Sequence, residues 1–145
     1  MNISYRSKDW RERILSNLAK TPFNISINGE TFFCKSVEGF WQGLKCKEGM
    51  RLHVFQLAGM AAKHAGRHKS HPMFKIAGET FIVSSKEHED LIREAIKQKI
   101  LQNPQAAQAL KESKGSISHH VPGHGKPIFK MEKLLMSVRL EFFGY

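Results

Sequence analysis

In the stretch SVEGFWQGLK, residues 36–45, three polar side chains recur at the spacing of one helical face. Glu38, Gln42 and Lys45 fall at i, i+4 and i+7, while Val37, Phe40, Trp41 and Leu44 form an apolar stripe at i, i+3, i+4 and i+7. The polar face borders that stripe on the Trp41 side, so its side chains are expected to be half-buried. A carboxylate and an amine at such a shoulder can be desolvated enough to move their pKa values. That is the setting for proton transfer by the carboxylate or attack by an unprotonated amine. The same spacing on an ordinary surface helix gives only a solvated Glu–Lys pair, and on spacing alone that plain outcome is the commoner one.

The neighbouring elements have to hold this helix in place. Ser36 is a suitable N-cap for a helix over Val37 to Cys46. Before it, FNISINGETFFC (23–34) alternates apolar and polar residues around Asn28-Gly29 and predicts a hairpin. Residues 8–20 read as a short helix or turn, broken by Thr21-Pro22. Residues 50–66 predict a second amphipathic helix with Leu52, Phe55, Leu57 and Met60 on its buried side and Gly66 at its end. Residues 67–79 read as a basic, His-rich loop, and 80–83 is too short to assign. A third helix spans about 86–102, with Leu91, Ile92, Ala95, Ile96, Lys99 and Ile100 at a 3.6-residue period and Ser84 or Ser85 as cap. Asn103-Pro104 ends it and opens a fourth helix, 104–113. No regular element fits 115–127, and Lys130 to Phe142 predicts a final apolar helix.

Other chemistry-bearing residues lie in the loops. His119, His120 and His124 form one group and His64, His68 and His71 another, but no paired cysteine pattern accompanies them, so a zinc site is a weak reading and no metal is assigned. Lys63, Arg67 and Lys69 could grip phosphates at one edge of a pocket, or belong to a solvated loop. Arg139, on an otherwise apolar helix, either anchors a pocket as a buried charge or snorkels to solvent. Cys34 and Cys46 show no redox or metal motif and read as buried filler.

The whole chain sets limits on these readings. Its 145 residues suit one domain, residues 1–145, with 41% hydrophobic content typical of a globular protein. No run approaches a membrane span, and the N-terminus lacks the apolar core of a secretory signal, so a reduced cytoplasmic setting is expected. Lys and Arg total 23 against 13 acidic residues, a formal charge of +10, which suits an anionic partner such as nucleic acid, a nucleotide or a sugar phosphate. The basic residues are scattered, and a merely basic surface fits them as well.

The segments LSNLAKTPF (15–23), SVEGFWQGLK (36–45), LAGMAAKHAG (57–66), SSKEHEDLIREAIKQKILQNP (84–104) and LLMSVRLEF (134–142) occur in this order along almost the whole chain. Together they resemble the NADAR family, also called YbiA-like or DUF1768, small α-rich enzymes linked to NAD and ADP-ribose chemistry. The resemblance implies a mainly α fold with a small β component (α+β) and cleavage of N-glycosidic bonds. Family members hydrolyse ribosylamino phosphates of riboflavin synthesis or remove ADP-ribose from guanine bases in nucleic acid. Carried over, Glu38 matches the active-site glutamate, Lys45 the lysine implicated in attack on the anomeric carbon, and Trp41 and Gln42 the residues between them. Asn17 resembles a position near the pocket. Breaking a C1′–N bond builds positive charge on the ribose, which a carboxylate stabilises directly or through an oriented water. Lys45 would stabilise charge or form an imine with the opened sugar.

Two departures bear on the substrate. Many family members carry tryptophan where Ser85 aligns, and an aspartate and a Trp-Gly pair after Gly115, where this chain has SHHVPGHGKP. His119 or His120 is the natural replacement for the absent acid. The expectation is therefore an N-glycosidase with Glu38, Lys45 and His119 catalytic and Asn17, Trp41, Gln42, Lys63, Arg67, His120 and Arg139 binding substrate. It needs no cofactor. Its partner would be an ADP-ribose-like nucleotide, a ribosylamino phosphate, or ADP-ribosylated DNA or RNA. The competing readings are a module that binds ADP-ribose or a related nucleotide without cleaving it, and a plain basic nucleic-acid binder.

Overall fold

Alternation dictates the first hairpin. In β1 (Phe23–Ile27) Phe23, Ile25 and Ile27 are buried while Asn24 and Ser26 face outward. Antiparallel pairing with β2 (Glu30–Cys34) sets Phe23 opposite Cys34 and Ile27 opposite Glu30. The turn needs two left-handed residues, and Asn28 and Gly29 supply them at φ 49° and 81°. A computed structural model describes residues 1–66, 71–120 and 127–145.

The remaining elements follow in the order α1 (Trp10–Leu15) before the hairpin, then α2 (Val37–Leu44), α3 (Glu48–Phe55), α4 (Gly59–Ala65), β3 (Met73–Ile76), β4 (Glu79–Ile82), α5 (Lys86–Gln102), α6 (Pro104–Glu112) and α7 (Met131–Phe143). Helices dominate and the strands form two separate two-stranded antiparallel sheets, an α+β architecture as expected. No helix among the described residues is long and apolar enough to cross a membrane.

Helix α5 is the axis of the core. Its buried stripe of Leu91, Ile92, Ala95, Ile96 and Ile100 packs on β1, α2, α6 and α7. Lys99 lies on the same stripe, 1% exposed, and donates from Nζ to the Ser16 carbonyl at 2.8 Å. Burial pushes its pKa down to about 7. Around α2 the packing is closer. A Cβ on Gly43 would overlap the Phe55 ring, and one on Gly39 would sit 2.5 Å from the Leu57 carbonyl oxygen. These two glycines let α2 lie directly against α3 and its C-terminal connection.

Two expectations are corrected. The single helix over 50–66 is two helices, α3 and α4, because the chain turns at Gln56–Ala58 and Gly59 takes φ +61°. Leu52 and Met60, expected to be buried, are 59% and 39% exposed, while Phe55 is fully buried. The expected loop over 67–79 contains β3, which pairs with β4 through an Ala77-Gly78 turn, Met73 opposite Ile82. Alanine at φ +51° hides this turn from composition-based reading. Instead the Asn28 side chain donates from Nδ2 to the Ala77 carbonyl at 2.8 Å, tying the two hairpin tips together.

Candidate active site

Helix α2 is held at both ends. At its N-terminus Ser36 Oγ accepts from the Gly39 N–H and donates to the Leu57 carbonyl, both at 2.8 Å. The Glu38 N–H donates to the Asn17 carbonyl at 2.9 Å, which brings the LSN segment alongside Glu38. At its C-terminus the buried Arg51 donates to the Gly43 and Leu44 carbonyls and, at 2.7 Å, to Lys75 of β3. Arg51 thereby satisfies last-turn carbonyls that a helix leaves unpaired and docks the second hairpin below Lys45.

Glu38, Trp41 and Gln42 line a cleft of about 670 Å³, together with Asn17, Lys63 and His119. Gln42 is 7% exposed; its Nε2 donates to Glu38 Oε1 at 2.8 Å and so fixes the carboxylate along the helix face. Gln42 Oε1 has no partner among the described residues and faces Gly66, where any Cβ would overlap the amide. His119 comes from the far end of the sequence. The Ile3 N–H donates to the Ser118 carbonyl at 2.8 Å, and His119 Nδ1 lies 3.2 Å from the Ile3 carbonyl. A carbonyl only accepts, so that contact puts the proton on Nδ1 and leaves Nε2 as the basic nitrogen.

Lys45 lies across Trp41 from this cleft. Its ammonium is 5.6 Å from the Trp41 ring centre. It lines a smaller pocket of about 90 Å³ with His71, Phe74 and His88, and Trp41 and Ile128 belong to the walls of both cavities. Burial lowers the Lys45 pKa, opposed by the Glu38 and Cys46 charges. This favours the neutral amine, the form that nucleophilic attack requires.

The remaining expected residues divide. Asn17 and Lys63 are at the cleft; His120 is exposed and does not line it. Arg139 is buried elsewhere, donating to the carbonyls of Tyr145 at 2.9 Å and Gly115 at 2.8 Å and to Ser113 Oγ at 3.2 Å. It anchors the C-terminus and the segment after α6 rather than a pocket. Arg67, with His68, Lys69 and His124, lies outside the described residues. Among the described residues no three histidine, cysteine or acidic side chains converge as a metal site would require.

Two site residues escaped sequence reasoning. Glu132, in the first turn of α7, lines the large cleft and brings a second carboxylate to it. Its signal was being the first acidic residue after the His/Gly-rich segment, yet only folding places α7 beside α2. His88 is 4% exposed and stacks on Trp41, ring centres 5.2 Å apart at 16°, with Phe74 and Phe129 edge-on to it. The Ser84 N–H donates to its Nδ1 at 3.1 Å, so the proton of the neutral ring is on Nε2. Burial, with Lys45 nearby, pushes its pKa down to about 4. Position 88 continues the apolar stripe of α5 by one turn, which is the signal that could have found it.

The architecture defines an α+β protein built around a polar-faced helix over a cleft of about 670 Å³. The solution structure of the E. coli protein YbiA shares this fold with a TM-score of 0.66 and 23% identity, over 97% of this chain and 83% of that one. A family model described as bacteriophage protein GP30.3 matches residues 9–137, and the chain belongs to that family. No curated protein matches the sequence.

Proposed function

We propose that the protein is an N-glycoside hydrolase of the NADAR type, cleaving the C1′–N bond of an ADP-ribosyl group on guanine in nucleic acid or of a related ribosylamino phosphate. The observation that carries this reading is the pairing of Glu38 and Gln42 on the wall of the large cleft, with the desolvated Lys45 across Trp41. The cleft is large enough for a nucleotide, since ligand pockets run to several hundred Å³.

Each group has a role its surroundings support. Glu38, oriented by the Gln42 amide, stabilises positive charge growing on the ribose or aligns the attacking water. His119, His64 and Glu132 are cleft-lining groups that can carry a proton to the departing nitrogen, His119 from Nε2 when its ring is doubly protonated. Lys63 adds positive charge for phosphate at the rim. Lys45 acts either as a charge at the partition or, unprotonated, as the nucleophile toward C1′ of an opened sugar.

Incubation with DNA carrying ADP-ribosylated guanine, beside Glu38→Gln and Lys45→Ala variants, tests the reading. Released ADP-ribose that each substitution reduces by about 10²-fold or more is the expected result. Saturable ADP-ribose binding without release from this DNA or from ribosylamino phosphates would assign a binding module instead.

A further inference from the structure

The small pocket beside Lys45 has features of a binding site in its own right. Phe74 and Trp41 provide flat aromatic walls, and Val83 and Leu44 close it with aliphatic surface. Against this lining stand two donors. His88 as a residue is 96% buried and its Nδ1 accepts from the Ser84 N–H, while its Nε2–H has no hydrogen-bond partner among the described residues and is not sealed from the pocket. Lys45 is half-buried on the same wall, with its ammonium against Trp41. A donor that opens into a pocket can pass from water to the acceptor of a ligand. Ser84, which aims its N–H at His88, holds φ +72°, a left-handed conformation unusual for serine.

We propose that this pocket binds a single planar six-membered ring bearing a carboxylate or carboxamide oxygen, the oxygen accepting from His88 Nε2–H and Lys45. The volume of about 90 Å³, below the about 150 Å³ of an apolar cavity that holds benzene, admits no more than one ring and leaves part of it in the open mouth. Larger substituents leave past Met73 and Ile128, which are 54% and 48% exposed at its mouth. Two donors of this kind discriminate by chemistry, because a ring without an acceptor leaves both of them unpaired. The site shares Lys45 and the Trp41 partition with the hydrolase reading, while Glu38 lines only the cleft beyond Trp41.

Titration of the full chain with benzoate, benzamide and toluene, followed by ligand-observed NMR, tests the proposal. Benzoate and benzamide should bind at least about tenfold more tightly than toluene, as one or two buried hydrogen bonds predict. His88→Phe keeps the aromatic stack and removes the donor, and should bring benzoate down to the level of toluene. Val83→Phe narrows the pocket without touching either donor and should abolish binding of all three. Glu38→Gln should leave benzoate binding unchanged even where it stops hydrolysis, which separates this site from the cleft. Equal binding of toluene and benzoate, no benzoate binding to the folded protein at millimolar concentration, or benzoate binding unaltered by Val83→Phe would overturn it.

Discussion

His88 and Lys99 are both carried by α5, and burial holds both away from their ordinary protonation, so each makes stability rise with pH, His88 on the acid side and Lys99 on the alkaline side. His88 has its pKa depressed to about 4, so between there and the unfolded value of 6.5 the unfolded chain binds the extra proton. Stability is complete above pH 6.5 and falls as the pH drops through that window, with a slope of up to about 1.4 kcal/mol per pH unit. Urea unfolding of His88→Phe should show a shallower acid decline than the wild type. Lys99 is depressed to about 7 from 10.5, so the unfolded chain holds the extra proton between those values and stability rises as the pH increases through them. Lys99→Met should flatten that rise and unfold no more easily at pH 6, because the Ser16 carbonyl keeps the Ala19 N–H as partner. A wild-type curve that Lys99→Met reproduces from pH 7 to 10 would contradict a buried neutral amine.

At the scale of elements, α2 is placed by contacts that leave no room for a methyl group. Gly43→Ala would drive Cβ into the Phe55 ring, itself packed on Phe40 with ring centres 5.4 Å apart. Overpacking of this kind costs about 1–3 kcal/mol, and Glu38 and Lys45 ride on the helix that would shift. The expected outcome is a lowered Tm accompanied by reduced activity. The β3–β4 hairpin offers the opposite case. Ala77→Asn relieves the strain of a left-handed alanine and completes an Asn-Gly turn like that at Asn28-Gly29. It should raise stability by roughly 0.5–1 kcal/mol in thermal unfolding. The hairpin was illegible in the sequence for the same reason, since alanine carries no turn signal and the Asn28 contact that supports it comes from 49 residues away.

For the whole molecule, the formal charge of +10 acts on any polyanionic substrate. If the substrate is a nucleic acid, log affinity should fall linearly with log salt, with a slope of about −0.7 to −0.9 per phosphate engaged. Titration of labelled DNA carrying ADP-ribosylated guanine at several salt concentrations measures that slope. A steep slope is the expected outcome. A flat one, together with turnover of a free ribosylamino phosphate, would assign the small-molecule substrate.

The sequence by itself determined the elements whose forces are local. The period of α5, the Ser36 cap, the Asn-Gly hairpin and the shared face of Glu38, Gln42 and Lys45 all depend on neighbours within a few residues, and the fold contains each of them. Tertiary structure decided which groups meet. It set Trp41 between Glu38 and Lys45, so that residues on one helical face look into two cavities. It brought His119 to the cleft through the pairing of residues near Ile3 with Ser118, and delivered Glu132 on the last helix. It also turned Arg139 and Lys99, charged residues on apolar stripes, into carbonyl anchors within the protein. These placements depend on contacts between segments distant in the chain, and no local pattern of residue types encodes them.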